Sequence, residues 1–314
     1  MPKLLITMLS TSVRVTSRVA SKMAPMAIAA RGMATEKQLF QQINSTKNIM
    51  KITSSMKMVS AAKLKGDENR LYAARPYNKW AETITGDSTP MEDEVEFANI
   101  PDNALIVPLT SDKGLCGGIN SFISRGARTM CAKLDADGKK SSLVVVGDKG
   151  RSQMRRMVGE KIVSAATEVQ TPYSFDLAAA ITAEVLAAGN DYSAIVILHN
   201  KFVNSATYIQ EYKVLSPMES TGDSEALVSY EFEPDIKNEV LEDLSEYLLC
   251  SQLYHAMMEA AASEQSARMA AMENATKNAG EMVDALTLQY NRARQARITT
   301  ELIEIISGAS AIEG

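Results

Sequence analysis

Ser111-Asp112-Lys113-Gly114-Leu115-Cys116-Gly117-Gly118 follows an apolar run and precedes a helical pattern, the place where a phosphate-cradling loop would stand. Cradling a phosphate needs glycines spaced G-x-G-x-x-G or G-x-x-x-x-G-K-[ST], so that successive backbone N–H groups can close on the anion. Neither spacing occurs here or at Gly147-Asp148-Lys149-Gly150, and both stretches read as tight strand-to-helix turns using glycine for positive φ. His199 and His255 lie far apart, and no Ser/His/Asp or Cys/His set stands at a recognisable spacing. Cys116, Cys131 and Cys250 are odd in number without metal-type spacing and read as buried, reduced thiols. No catalytic, cofactor or metal site is expected.

The chemistry left is that of contact. Arg292, Arg294 and Arg297, with Gln289, Asn291 and Gln295, make a basic, polar collar, followed by Ile298, Leu302, Ile303, Ile305, Ile306, Ala309, Ala311 and Ile312. These apolar positions cover more than one helix face, and a helix apolar all round is a buried one. Left in water they would form a large apolar patch, so a surrounding partner is expected.

Two long helices must position this tip. Residues 235–314 contain no proline, and steps of four and three from Leu244 through Leu248, Ser251, His255, Met258, Ala262, Gln265, Met269, Met272, Thr276, Ala279, Val283, Leu286 and Tyr290 to Ala293 give a mostly apolar stripe of coiled-coil period. If some 70 of these residues are helical, the rod is about 105 Å long. A second proline-free stretch lies between Pro25 and Pro76, where Ile49, Ile52, Met56 and Val59 offer a partner stripe and Ser60, Ala61 and Ala62 allow close approach. The two should pair antiparallel, the first starting near a Thr35/Gln38 capping box and kinked or ended by Pro76. Lys47, Lys51, Lys57, Lys63 and Lys65 read as its solvated face.

Between the helices the pattern changes to short apolar runs. Strands are expected at Ala104–Leu109, Leu143–Val146, Lys161–Ala165, Ala194–Leu198 and Thr207–Val214, and helices at Ile119–Leu134, Arg151–Val158 and Phe175–Ala188. That alternation implies an α/β layer with a largely parallel sheet. The expected segments are a leader at 1–33, a coiled-coil helix at 34–86, an acidic linker at 87–103, a Rossmann-like α/β domain without a nucleotide loop at 104–217, a second acidic linker at 218–234 and the long helix at 235–314.

Composition is that of a soluble globular chain, with 46% hydrophobic and 23% charged residues in 314. Residues 1–33 hold Lys3, Arg14, Arg18, Lys22 and Arg31 and no acid, the character of a mitochondrial transit peptide cleaved near Met33. Its loss would leave 28 of the 33 basic residues against 38 acids, which argues against nucleic-acid binding. No apolar run is long enough to span a membrane.

Four motifs, in order, resemble the γ subunit of F-type ATP synthases. They are Ile52-Thr53-Ser54-Ser55-Met56-Lys57-Met58-Val59-Ser60-Ala61-Ala62-Lys63, the Asp112–Asn120 loop, Glu264-Gln265-Ser266-Ala267-Arg268-Met269-Ala270-Ala271-Met272, and the stretch from Ile298-Thr299-Thr300-Glu301 to Gly308-Ala309-Ser310-Ala311. The resemblance implies a non-catalytic rotor shaft whose paired terminal helices enter a ring of α and β subunits, while the α/β domain stands on a c-ring beside the δ and ε subunits, peripheral to the matrix side of the mitochondrial inner membrane. It places Arg294, Gln295, Thr299 and Glu301 against a β-subunit loop, Met56 and Arg268 at coupling positions of the coiled coil, and Ile298, Leu302, Ile305, Ile306, Ala309 and Ile312 in an apolar bearing. The competing reading is a Rossmann-like nucleotide-dependent enzyme with coiled-coil dimerisation arms.

Overall fold

A computed structural model describes residues 36–91, 100–189, 192–216 and 237–313, with Phe97, Leu227 and Glu233. The expected leader, Thr35 of the capping box and most of the second linker lie outside the described residues. The chain divides into two compact units, one of residues 46–282 and one drawn from its two ends, 1–45 and 283–314.

In the unit of residues 46–282 the elements run in the order helix α1, which covers Glu36–Thr85 in all, β1 (Thr89–Pro90), β2 (Asn103–Pro108), α2 (Ile119–Ala136), β3 (Lys140–Val146), α3 (Asp148–Val158), β4 (Ile162–Ala166), α4 (Phe175–Gly189), β5 (Ala194–Phe202), β6 (Tyr208–Leu215) and α5, which covers Lys237–Glu313 in all. The sheet order is β1-β6-β5-β2-β3-β4. Strands β5, β2, β3 and β4 are parallel, as successive strand–helix units dictate, while β6 returns antiparallel from β5 and β1 pairs antiparallel with β6. The two-residue β1 falls in a stretch that reads as linker, because Thr89 and Pro90 carry no apolar alternation of their own and are held by register with Tyr212 and Glu211.

Alternation along the strands makes three layers. Ala104, Ile106, Leu143, Val145, Val196 and Leu198 face α2 and α3, meeting Ile123, Met130, Leu134 and Met154. Leu105, Val107, Val144, Val146 and Ile197 face the other way, against Ile181 and Val185 of α4 and Leu249, Leu253 and Met257 of α5. Helix α5 therefore packs on the sheet with one side and on α1 with another, where Leu64 and Leu71 meet Met258 and Ala262. This explains why burial along Leu248–Arg268 is nearly continuous and narrows to a stripe beyond Met272.

Every seam position stepped off from Leu244 to Ala293 is buried or half-buried. On α1 the register differs from the expected stripe. Ile49, Ile52 and Val59 are 54%, 58% and 58% exposed, whereas Leu39, Ile43, Thr46, Ser60, Leu64 and Leu71 point inward. The polar members of this inward face suit it: Thr53 Oγ1 accepts from Thr276 Oγ1 at 2.8 Å, and Ser60 is small and buried. Ala61 and Ala62 are exposed. Partners such as Lys57 with Glu273 at 2.8 Å, Thr53 with Thr276, and Tyr77 beside Tyr247 show the helices antiparallel within this unit. Helix α1 also continues through Pro76 to Thr85. The missing N–H costs it one hydrogen bond, and the following turn is held by the buried Asn78 and by Ala81, which packs against Leu241 and Leu248.

In the unit of the two ends, α1 and α5 are antiparallel as well. Phe40 and Tyr290 have ring centroids 6.1 Å apart, and Arg297 Nε lies 2.9 Å from a Glu36 carboxylate oxygen.

Burial sets one pH dependence. His255, half-buried on α5, has its pKa lowered from 6.5 to about 4, chiefly by desolvation and against the pull of Glu259. The unfolded chain binds this proton at higher pH than the folded one, so stability is present above pH 6.5 and is lost as pH falls from there to about 4. The full span corresponds to about 3 kcal/mol. Denaturant midpoints between pH 7 and 4 should show this slope, and His255→Gln should flatten it.

Candidate partner interfaces

The loops at the carboxyl ends of β2 and β3 are cross-tied. Asp112 accepts from the backbone N–H of Asp148 at 2.8 Å and from that of Val169 at 2.8 Å. Asn120 Oδ1 accepts from Ser111 N at 3.0 Å, and its amide donates to Ser111 Oγ at 2.7 Å. The first N–H of α3, a natural anion-binding group, is thus already satisfied by a carboxylate of the chain itself. Gly117 and Gly147 have φ of 65° and 101°, as tight turns require, and Leu115 takes φ 63° without being glycine. All three cysteines are buried free thiols, their pKa values raised chiefly by burial.

Met56 and Arg268 come together. Both line a groove of about 640 Å³ whose other walls include Ile52 and Val59 of α1 and Leu115 of the loop before α2. Arg268, 8% exposed, pairs with Glu264 and donates to Gln265 Oε1 at 3.1 Å. Burial raises the pKa of Glu264, against the opposing effect of Arg268. Leu115, 63% exposed, is the member that sequence reading misses, since nothing in its type announces a left-handed backbone. Lys51, Lys63 and Lys113 also line the groove, so its apolar floor has a basic rim.

The collar and tip belong to the unit of the chain ends. Every residue from Arg294 to Ile312 on α5 is exposed. Ile298, Leu302, Ile305 and Ile306 are 51%, 54%, 69% and 56% exposed, and Ile312 is 87% exposed. Among the collar residues Arg297 is tied to Glu36 and lies 3.8 Å from Glu301, and Thr299 Oγ1 donates to the Gln295 carbonyl at 2.9 Å. The hydrogen-bonding side chains and the apolar tip thus share one exposed length of helix.

A family model described as ATP synthase matches residues 35–312. The mitochondrial ATP synthase subunit gamma of Drosophila melanogaster is 42% identical, over 90% of this chain and 92% of that one. The chain belongs to the γ-subunit family of the ATP synthases. A chain from a structure of the central stalk and c-ring of the Tetrahymena thermophila mitochondrial ATP synthase is similar to this γ chain at 30% identity and a TM-score of 0.57, covering 71% of this chain and 99% of that one. The fold is shared more widely, with a TM-score of 0.71 at 21% identity to a chain of the Euglena gracilis mitochondrial ATP synthase, covering 88% and 94%. As a γ subunit this chain is a component of a larger complex, and no helix among the described residues is long and apolar enough to cross a membrane.

Proposed function

We propose that this γ chain is the central rotor shaft of a mitochondrial ATP synthase, itself non-catalytic, which transmits proton-driven rotation of a c-ring to ATP-forming sites on surrounding α and β subunits. The observation that carries the reading is the bare tip: α5 holds isoleucines and a leucine more than half exposed on several faces from Ile298 to Ile312, and such a surface calls for a sleeve. An apolar sleeve guides without gripping, because apolar contact has no direction. Arg294, Gln295, Thr299 and Glu301 supply the directional hydrogen bonds, to a loop of a β subunit. Met56 and Arg268, in the groove with the basic rim, are coupling contacts farther along the same helices. The α/β domain stands on the c-ring beside the δ and ε subunits, peripheral to the matrix face of the inner membrane, and residues 1–33 are the targeting leader.

The self-satisfied loops around Asp112 support a non-catalytic role, since a phosphate there would compete with the chain's own carboxylate for the α3 N-terminus. Titration calorimetry on the isolated chain is expected to show no ATP binding, whereas mixing it with α and β subunits yields an assembly that hydrolyses ATP. Micromolar ATP binding by the lone chain would favour the alternative, a Rossmann-like nucleotide-dependent enzyme with coiled-coil dimerisation arms.

A further inference from the structure

Where β5, β6, α1 and α5 meet, the core contains a polar pocket of about 20 Å³, walled among others by Glu82, Lys213, Gln252, His255 and Glu259. Roughly 10–15 Å³ suffices for one water molecule. Lys213 and Gln252 are each 4% exposed, and neither Lys213 Nζ nor Gln252 Nε2 has a hydrogen-bond partner among the described residues. An unpaired buried ammonium is costly, and the first remedy a fold has is a bound acceptor.

The neighbouring groups are already committed to one another. Lys201 Nζ holds both oxygens of Glu211 at 3.0 and 3.2 Å, and His199 Nε2 lies 3.2 Å from Glu259 Oε2. Glu259 Oε1 faces His255 Nε2 at 4.0 Å, and Glu82 accepts from Asn78 at 2.6 Å. A ligand in the pocket must therefore accept from Lys213 and Gln252 while tolerating three carboxylates. A halide would satisfy the donors and be repelled by Glu82, Glu211 and Glu259. A metal cation would meet the ammonium of Lys213. A neutral species that both accepts and donates fits, and at this volume that is water.

We infer that this pocket is a binding site for one internal water molecule, which accepts from Lys213 and Gln252 and donates to the carboxylates around it. The water joins the sheet, through β6, to α5 and to the end of α1, and so pins both long helices to the α/β layer by polar contact as well as by packing. It is a fixed part of the core, comparable to a side chain, and lies apart from the groove of Met56 and Arg268.

The test is an experimental map of the full chain, alone or in its assembly, at a resolution that orders solvent, together with a crystal soaked in bromide. One solvent peak at hydrogen-bond distance, about 3 Å, from both Lys213 Nζ and the Gln252 amide is expected, with no anomalous bromide signal. Lys213→Met is expected to fold and to lose the peak, and Gln252→Met to displace or lose it. A dry pocket in the wild-type map, with Lys213 turned onto a carboxylate, would overturn the assignment. So would bromide in the pocket, or a peak that persists unmoved in Lys213→Met. The wild-type map decides even if neither variant folds.

Discussion

Gly147→Ala should destabilise the α/β unit by about 4 kcal/mol, a loss at the upper end for a single substitution. Gly147 closes β3 and opens α3 with φ 101° and ψ 138°. A Cβ there would stand 2.3 Å from the Thr110 carbonyl oxygen and 2.6 Å from its carbon, so it meets backbone that cannot swing aside. That backbone is pinned, because Thr110 N donates to the Val146 carbonyl at 2.8 Å and Thr110 Oγ1 to the same oxygen at 2.7 Å. Strain at such a φ costs about 1–3 kcal/mol by itself, and the clash adds to it. Gly138→Ala is the control: φ is 74° but nothing lies within 4 Å of the added methyl, so the expected loss is only about 1 kcal/mol. Denaturant midpoints of the two variants should separate clearly, and equal midpoints would show that the close approach to Thr110 does not constrain the loop.

The second large effect concerns function without stability. Arg294→Ala with Gln295→Ala should lower ATP turnover of the assembled complex by tenfold or more, while the free chain keeps its helicity and melting temperature. Both side chains are exposed, and the hydrogen bond from Thr299 Oγ1 ends on the Gln295 backbone carbonyl, which alanine retains. If each makes a charge-assisted or partly desolvated bond to a partner, its loss costs about 1.5–3 kcal/mol, and about 1.4 kcal/mol is a factor of ten in rate. Arg297→Ala serves as contrast. Its guanidinium is 58% exposed and already paired with Glu36, so its loss should cost at most about 1 kcal/mol of stability. Unchanged turnover in the double variant, with normal assembly, would mean that these side chains are not the grip.

The five main strands and three short helices are legible because their periods are local: Leu143–Val146 alternates between two buried faces, and Ile119–Leu134 keeps one apolar stripe. The α5 seam is legible for the same reason. The α1 register is not, because Ile49-Ile52-Met56-Val59 and Leu39-Ile43-Thr46-Ser60-Leu64 are neighbouring stripes on one helix, and the second wins through partners far away in sequence, such as Met258 and Ala262 against Leu64. Sequence reasoning favours the more apolar stripe, and the outcome is instead that Ile52 and Val59 line a groove. Pro76 and β1 fail the local rules likewise, the helix being carried past Pro76 by packing of Ala81 and β1 being held by its register with β6. The collar and tip stand out in the sequence because nothing compensates their character, whereas the pocket of Lys213 arises only when β6 is laid against α5, some forty residues later in the chain.

The most direct measurement is rotation. The native cysteines are buried, so Glu160→Cys on the exposed turn after α3 gives a single accessible thiol for a bead or rod. With the chain assembled among immobilised α and β subunits and ATP supplied, the attached probe should turn continuously in one sense, at a rate that falls in step with ATP turnover in the Arg294→Ala/Gln295→Ala variant. A probe that stays fixed while the same complexes hydrolyse ATP at full rate would contradict the account of this chain as the shaft.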